Sequence, residues 1–389
     1  MSFVSNKVND LPPYLFSEFQ QKKKDLREKG VDVIDLGIGA PDLPTPDFII
    51  DRLTEEARAP ANHGYSTYSG IKEFREAVAH FYKRRYDVEL DPETEVLAVI
   101  GSKEGIANLM QATVNPGEKV LVPDPGYPAY RTAVQLAGGI SEQLPLDEAN
   151  GYLPLYGHID QASVNQAVLM LLNYPNNPTA ATADYNTFLE AIAFAEKNQL
   201  LLVHDAAYDM LTFDGYEAPS VLQVPEAKAC AVEFGSLSKN FNMTGWRIGY
   251  AVGNRKVIKA LSALKSNIDS SQFIPVQKAA ATALTSDYSA VDEHSKIYEE
   301  RMETLYTSFR KLGIEADKPN GTIFFWAKVP DGFTSMSFAG KLLDEAGVII
   351  TPGNAFGSRG EGYFRVALTV SIDRLEEVIE RMKQLNLEG

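Results

Sequence analysis

Apolar residues along this chain switch between two spacings. Mainly apolar runs at residues 96–100, 119–122, 168–172, 200–204 and 229–234 read as buried strands. Between them, residues 103–114, 129–137 and 185–197 repeat apolar positions at helical spacing. Upstream, residues 11–19 form an apolar, aromatic arm that opens into a charged helix over 20–29. Its Lys22, Lys23 and Lys24 read as a solvated face. Residues 31–39 alternate like a strand and end in Gly37-Ile38-Gly39. A helix capped by Asp47 is expected over 47–58, a loop rich in Tyr, Ser and Gly over 62–70, and a helix over 71–86. Past residue 256 the pattern changes. Helices are expected at 257–267, 275–284 and 290–312, a strand at 323–327 and a helix at 337–346. Strands at 348–350 and 363–368 and a helix at 374–385 close the chain.

Strands alternating with helices predict an α/β domain with a mostly parallel sheet, and the later elements a smaller α+β domain. The expected division places an N-terminal arm and the first part of the small domain in 1–45. The large domain fills 46–285, and 286–389 completes the small one; 389 residues are ample for the split. Net charge is −15, which argues against nucleic acid and anionic membrane as partners. No apolar run approaches about 20 residues, so no membrane span is expected. The polar first ten residues lack a secretory signal, and a cytoplasmic protein is expected. The single cysteine, Cys230, falls in a predicted strand and reads as a buried, inert thiol. No metal site is assigned.

Chemistry enters at the ends of the strands. After the run 229–234 come Ser236, Ser238 and Lys239, and eight residues later Arg247 opens a second apolar run over 248–252. Lysine is almost never buried unpaired, so Lys239 between two buried strands calls for a function. A neighbouring cation disfavours its ammonium form and frees the amine to attack a carbonyl. The hydroxyls and guanidinium suit a phosphate monoester. Together they suggest pyridoxal phosphate held as a Schiff base on Lys239. Ligands of an open α/β sheet sit beyond the strands' carboxyl ends, where further candidates fall. Ser102 and Lys103 open a helix whose free N–H groups can take a phosphate, although Ser is also a common cap. Tyr127, in Asp124-Pro-Gly-Tyr-Pro128, can stack on a pyridine ring. Asn177, in Asn176-Asn-Pro178, is held by prolines and can donate to a ring hydroxyl. Asp205 needs a cationic partner, and a protonated pyridine nitrogen would be one. Tyr208 reaches the ring oxygen from the same turn, while His204 points to the other face as a satisfied core histidine. Arg365, in an apolar strand, offers a fork for a substrate carboxylate. Gly37-Ile38-Gly39 runs into Ala40-Pro41, where a dinucleotide-binding helix should begin, which excludes NAD.

This ordered set resembles the fold-type I, class I/II pyridoxal-phosphate aminotransferases over nearly the whole chain. The resemblance implies the following expectations. Lys239 carries the cofactor, Asp205 pairs with the pyridine nitrogen, Asn177 and Tyr208 hold the ring oxygen, and Tyr127 stacks on the ring. Ser102, Lys103, Ser236, Ser238 and Arg247 surround the phosphate. Arg365 binds the substrate carboxylate, with Gly39, Asn177, Tyr127 and Tyr14 near the substrate. Tyr65, in the loop 62–70, reaches the phosphate of the neighbouring subunit, which implies a homodimer with shared active sites. One departure is Ala180, where the family usually has Gly after Asn-Pro-Thr. The segments around Tyr14, Lys103, Tyr127, Asn177, Asp205 and Arg247 also resemble the LL-diaminopimelate aminotransferase group. Aspartate, alanine or aromatic amino acids as donors, or a C–S lyase on the same cofactor, stay open. 2-Oxoglutarate is the acceptor that the resemblance implies.

Overall fold

The structure is a computed structural model that describes residues 3–11, 16–385 and 387. A short strand, β1 (Ile34–Asp35), precedes the strands of the central sheet. These are β2 (Val96–Val99), β3 (Lys119–Asp124), β4 (Ile140–Pro145), β5 (Ala167–Asn173), β6 (Leu201–Asp205), β7 (Ala231–Ser236) and β8 (Gly249–Gly253). Their order across the sheet is β2-β8-β7-β6-β5-β3-β4, and β8 runs antiparallel to both neighbours while the other pairs are parallel.

Both faces of this sheet are covered, which is why its strands lack polar alternation. In β5, Leu169 and Leu171 point into one core with Ile106, Leu109 and Met110 of the helix Ser102–Thr113. Met170 and Leu172 point into the opposite core with Phe74, Val78 and Phe81 of the helix Lys72–Tyr86. Each such side chain contributes about 1.5–3 kcal/mol on burial, and the two layers hold the sheet's carboxyl edge rigid.

Four more strands follow: β9 (Phe324–Lys328), β10 (Val348–Ile349), β11 (Thr351–Pro352) and β12 (Tyr363–Ala367). β12 lies between β9 and β11, antiparallel to both. β1 pairs in parallel with β10. The contact continues as Leu36 N–H donates to Ile349 O (2.8 Å) and Ala367 N–H to Leu36 O (2.7 Å). The N-terminal segment is thereby stitched to the C-terminal strands, which brings Gly37 and Gly39 beside the strand that carries Arg365.

Several expectations need correction. The alternating stretch 31–39 yields only the two paired residues of β1, because its glycines leave the sheet for the site. β4 was not expected; its first four residues are exposed or half-buried, so the apolar run is missing. Cys230 ends a helical turn, Ala227–Cys230, and is half-buried outside the strand. Asp47 is the first residue of its helix and makes no cap bond; Pro46 holds the cap position. Of the lysine run, Lys23 is not simply solvated: its ammonium lies 2.5 Å from Asp35 Oδ2, with both side chains largely covered. Among the described residues, no helix is long and apolar enough to cross a membrane.

Candidate active site

The carboxyl ends of β5, β6 and β7 set the first wall. Asp205 is the last residue of β6 and is buried. The Tyr130 hydroxyl donates to its Oδ2 (2.8 Å), while Oδ1 is buried without a hydrogen-bond partner among the described residues. Burial raises the Asp205 carboxyl; the Tyr130 bond, His204, the Ala207 amide and Lys239 pull it back. An orphaned carboxylate oxygen in such a place is costly and calls for a cation or donor. At the end of β5, Asn173 fixes the following turn: its Nδ2 donates to Asp205 O (2.7 Å) and its Oδ1 accepts from Asn177 N–H (2.8 Å). Asn177 is therefore fastened to Asp205 through a residue that the sequence reading left without a role.

The lysine end is built by β7. Ser236 caps the turn Leu237–Asn240, its Oγ accepting from Ser238 N–H (3.2 Å). That turn aims Lys239 at the N-terminal segment, where its Nζ donates to Gly39 O (2.8 Å). Burial first, then the Arg365 and Arg247 charges, hold the Lys239 ammonium down to about 8, and Asp205 offsets part of this. The expected pressure from Arg247 is present, with Arg365 the larger of the two. Gly39 has to be glycine: a Cβ there would lie 2.4 Å from the Phe324 ring.

The phosphate-like cradle is made where β2 and β8 lie side by side. Arg247 donates to Thr244 O (2.8 Å) and Ile100 O (3.2 Å), which brings its exposed guanidinium to the start of the helix Ser102–Thr113. Gly101, at φ +87°, permits this; a Cβ there would meet Arg247 Nη2 at 2.4 Å. Ser102 and the exposed Lys103 open the helix, whose first N–H groups have no partner within it.

The opposite wall comes from the C-terminal strands. Arg365, buried in β12, donates to Asn177 Oδ1 (2.8 Å) and Gly37 O (2.6 Å). The Phe324 and Phe356 rings lie 4.1 and 4.8 Å from its guanidinium carbon. Thr351, overlooked in the sequence, donates to Gly37 O (3.1 Å) and lies 3.4 Å from Arg365 Nη2. Tyr208, its hydroxyl raised by burial, packs edge-on against Phe324. Tyr127 is half-buried, its ring 5.5 Å from that of Tyr130.

Thus these contacts bring Lys239, Asp205, Asn177, Tyr208, Arg365 and Gly39 together, with Ser102, Lys103, Ser236, Ser238 and Arg247 on the adjoining ends of β2, β7 and β8. Tyr65 does not join them within this chain: it is 92% exposed, and no hydrogen bond links it to the others. Tyr14 lies outside the described residues. His204 is a satisfied core histidine, as expected, its Nδ1 2.7 Å from Glu233 Oε2 and its Nε2 3.0 Å from Tyr174 O. Tyr130 was missed because a tyrosine early in a helix looks like packing; its signal was the helix's start at the carboxyl edge of the sheet.

Residues 31–382 match the family profile of aminotransferase class I and II. The chain belongs to the class I and II aminotransferase family. Among its relatives, the LL-diaminopimelate aminotransferase of Moorella thermoacetica is 51% identical over 98% of both chains. That of Syntrophobacter fumaroxidans is 48% identical over 99% of this chain and all of its own. Of solved structures, substrate-bound BacF from Bacillus subtilis superposes with a TM-score of 0.95 at 40% identity, covering 100% of this chain and 99% of that one. This aminotransferase uses pyridoxal phosphate, and its residues fit the group. The free Asp205 oxygen suits a protonated pyridine nitrogen. The depressed Lys239 amine suits a carbonyl carbon, and the Arg247 guanidinium beside the helix N-terminus suits a phosphate.

Proposed function

We propose that this aminotransferase takes LL-diaminopimelate as amino donor and 2-oxoglutarate as acceptor. The observation that carries the donor is 51% identity over 98% of both chains to an enzyme of that name. When bound, the cofactor supplies an electron sink beside the substrate's Cα. The residues do the rest. Asp205 Oδ1 would accept from the pyridine nitrogen and keep it protonated. Tyr208 and Asn177 would donate to the ring oxygen, and Tyr127 would stack on the ring. The N–H groups at Ser102 and Lys103, the Ser236 and Ser238 hydroxyls and Arg247 would hold the phosphate. Arg365, held by Asn177 Oδ1 and Gly37 O, would bind the substrate carboxylate and turn the Cα–H bond toward Lys239. The lowered ammonium leaves more of Lys239 as free amine, the form that can take that proton.

Within this proposal the domains divide at 45/46 and 285/286, and two copies associate so that Tyr65 reaches the partner's phosphate site. Supporting the association, Tyr65, Tyr68, Ile268 and Phe273 are exposed, Tyr65 almost fully. A donor screen against 2-oxoglutarate tests the substrate. LL-Diaminopimelate should show the highest kcat/KM over aspartate, alanine and aromatic amino acids. No turnover with LL-diaminopimelate would refute the assignment.

A further inference from the structure

Two side chains in the core have no place in the chemistry above, and both lead to the loop that carries Tyr65. Gln277, in the helix Ile274–Thr285, is 0% exposed, and Lys265, ending the helix Arg255–Lys265, is likewise 0% exposed. A fully buried polar side chain is retained only with its bonds satisfied, and those bonds are informative. Gln277 Oε1 accepts from Ile71 N–H (2.7 Å), and its Nε2 donates to Ser66 Oγ (2.9 Å) and Gln272 O (2.7 Å). Lys265 Nζ donates to Tyr68 O (3.3 Å) and pairs with Asp269 Oδ1 (2.5 Å). The loop is further pinned at its end. Ala98 N–H donates to Ser69 O (3.0 Å), and a Cβ on Gly70 would lie 2.4 Å from that of Ala98.

The network does not stop at the loop. Gln272, itself buried, donates through Nε2 to Val99 O (2.6 Å) and to Arg247 O (3.1 Å). Val99 ends the strand that leads into the cradle, and Arg247 is the cradle's guanidinium. A continuous run therefore joins Ser66, Gln277, Gln272 and Arg247. One end is next to Tyr65; the other is at the chain's own phosphate-like site.

We infer that Gln277 is a positioning residue that acts across subunits: it sets the Tyr65 loop for the partner's cofactor site and, through Gln272, ties that loop to the cradle of its own chain. This rests on the shared-site dimer proposed above. Tyr65 is presented as an exposed ring on a loop of small residues, so its aim depends on the backbone beneath it. Gln277 holds that loop at two points on either side of Thr67, the Ser66 hydroxyl and the Ile71 N–H. In its own chain the cradle keeps Gln272's two bonds even when Gln277 is replaced, so the larger effect falls in the neighbouring site.

Hybrid dimers test this. Two differently tagged chains are refolded together and the hybrid is isolated through both tags. One chain carries Lys239→Ala, so lysine-linked cofactor, read by its visible absorbance, reports only the other chain's site. That site is served by the loop of the Lys239→Ala chain. Gln277→Met, close in shape and without donors, placed in the loop-giving chain should weaken cofactor binding about tenfold, the equivalent of about 1.4 kcal/mol. Placed in the chain with the live lysine, it should weaken binding by less than about threefold. Ser66→Ala, at a half-buried position, removes the loop end of the same bond without disturbing the core. It should shift binding the same way in the loop-giving chain by about threefold. Tyr65→Ala in the loop-giving chain is the control for the shared site. If Tyr65→Ala weakens binding there and neither Gln277→Met nor Ser66→Ala does, the inference is overturned while the shared site stands. Equal losses from Gln277→Met in both placements would also overturn it, since that is the mark of a merely structural role. If Tyr65→Ala has no effect, the shared-site reading fails, and the inference with it.

Discussion

Lys239 works in a place that disfavours its own charge. Its ammonium is held down to about 8 from 10.5, which costs the cofactor-free fold about 3 kcal/mol at neutral pH. The sign is fixed by proton count. Between pH 8 and 10.5 the unfolded chain binds more protons at this residue than the folded one, so its contribution to stability rises with pH across that window. Below pH 8 the penalty is fully present. Lys239→Met should therefore raise the Tm of cofactor-free protein by several degrees at pH 7, and the gain should shrink toward pH 10.5. A Tm equal to that of the parent at pH 7 would refute this. Asp205 is tuned the other way. The Tyr130 bond lowers a carboxyl that burial raises, so Tyr130→Phe should leave Asp205 less ionised. We expect kcat to fall about tenfold, as one charge-assisted hydrogen bond is worth about 1.5–3 kcal/mol, with the oxo-acid KM little changed. Steady-state kinetics check this. Residues whose type alone is unusual in context, a lysine between buried strands or an aspartate ending an apolar one, were legible in the sequence. Tyr130, Asn173 and Thr351 were not, because each acts through a partner that only folding supplies.

At the level of single elements, Gly101 lets the Arg247 guanidinium approach the N-terminus of the helix Ser102–Thr113. Gly101→Ala should displace the guanidinium and weaken cofactor binding about tenfold or more, with the fold retained. Cofactor titration followed by circular dichroism would read both. The turn after β5 holds Ala180 at φ +58°, with its N–H donating to Asn176 O (3.0 Å). Alanine here keeps a left-handed conformation that glycine adopts without strain. Ala180→Gly should stabilise by up to about 1 kcal/mol and leave KM unchanged; thermal melts and kinetics decide. Most of the longer helices and the inner parallel strands were visible as runs and periods. β4 was not, because an edge strand half open to solvent loses the apolar run. β1 was overestimated, because alternation describes a strand's faces but does not reveal where a glycine leaves the sheet.

For the whole molecule, the test is complementation. A Lys239→Ala chain lacks the reactive amine, and a Tyr65→Ala chain lacks the ring that the proposed dimer gives to its neighbour. In a hybrid of that dimer one site would receive both native residues and the other neither. Random pairing makes half the dimers hybrid, so mixed refolding should restore roughly a quarter of the parent rate. No gain above the parental average in verified hybrids would remove Tyr65 from the neighbouring site. The proposed sharing of sites could not be derived from the chain's pattern; it rests on the resemblance and on the exposure of Tyr65.

The stitching of the N-terminal segment to the last strands sets an order of events during synthesis. Gly37 and Arg365 are 328 positions apart, and Gly37 and Thr351 are 314 apart. The wall around Arg365 thus waits for almost the entire chain to emerge, while the strand that ends in Asp205 and the turn that carries Lys239 are complete long before. At about 5–20 residues per second that delay is tens of seconds, during which β1 has no strand to pair with. A growing chain carries its lysine in a half-built cleft, and the glycine carbonyls that will face Lys239 and Arg365 wait untethered at its other end. Ribosome-bound chains stopped before residue 348 should leave β1 open to proteolysis, and release of the finished chain should close it.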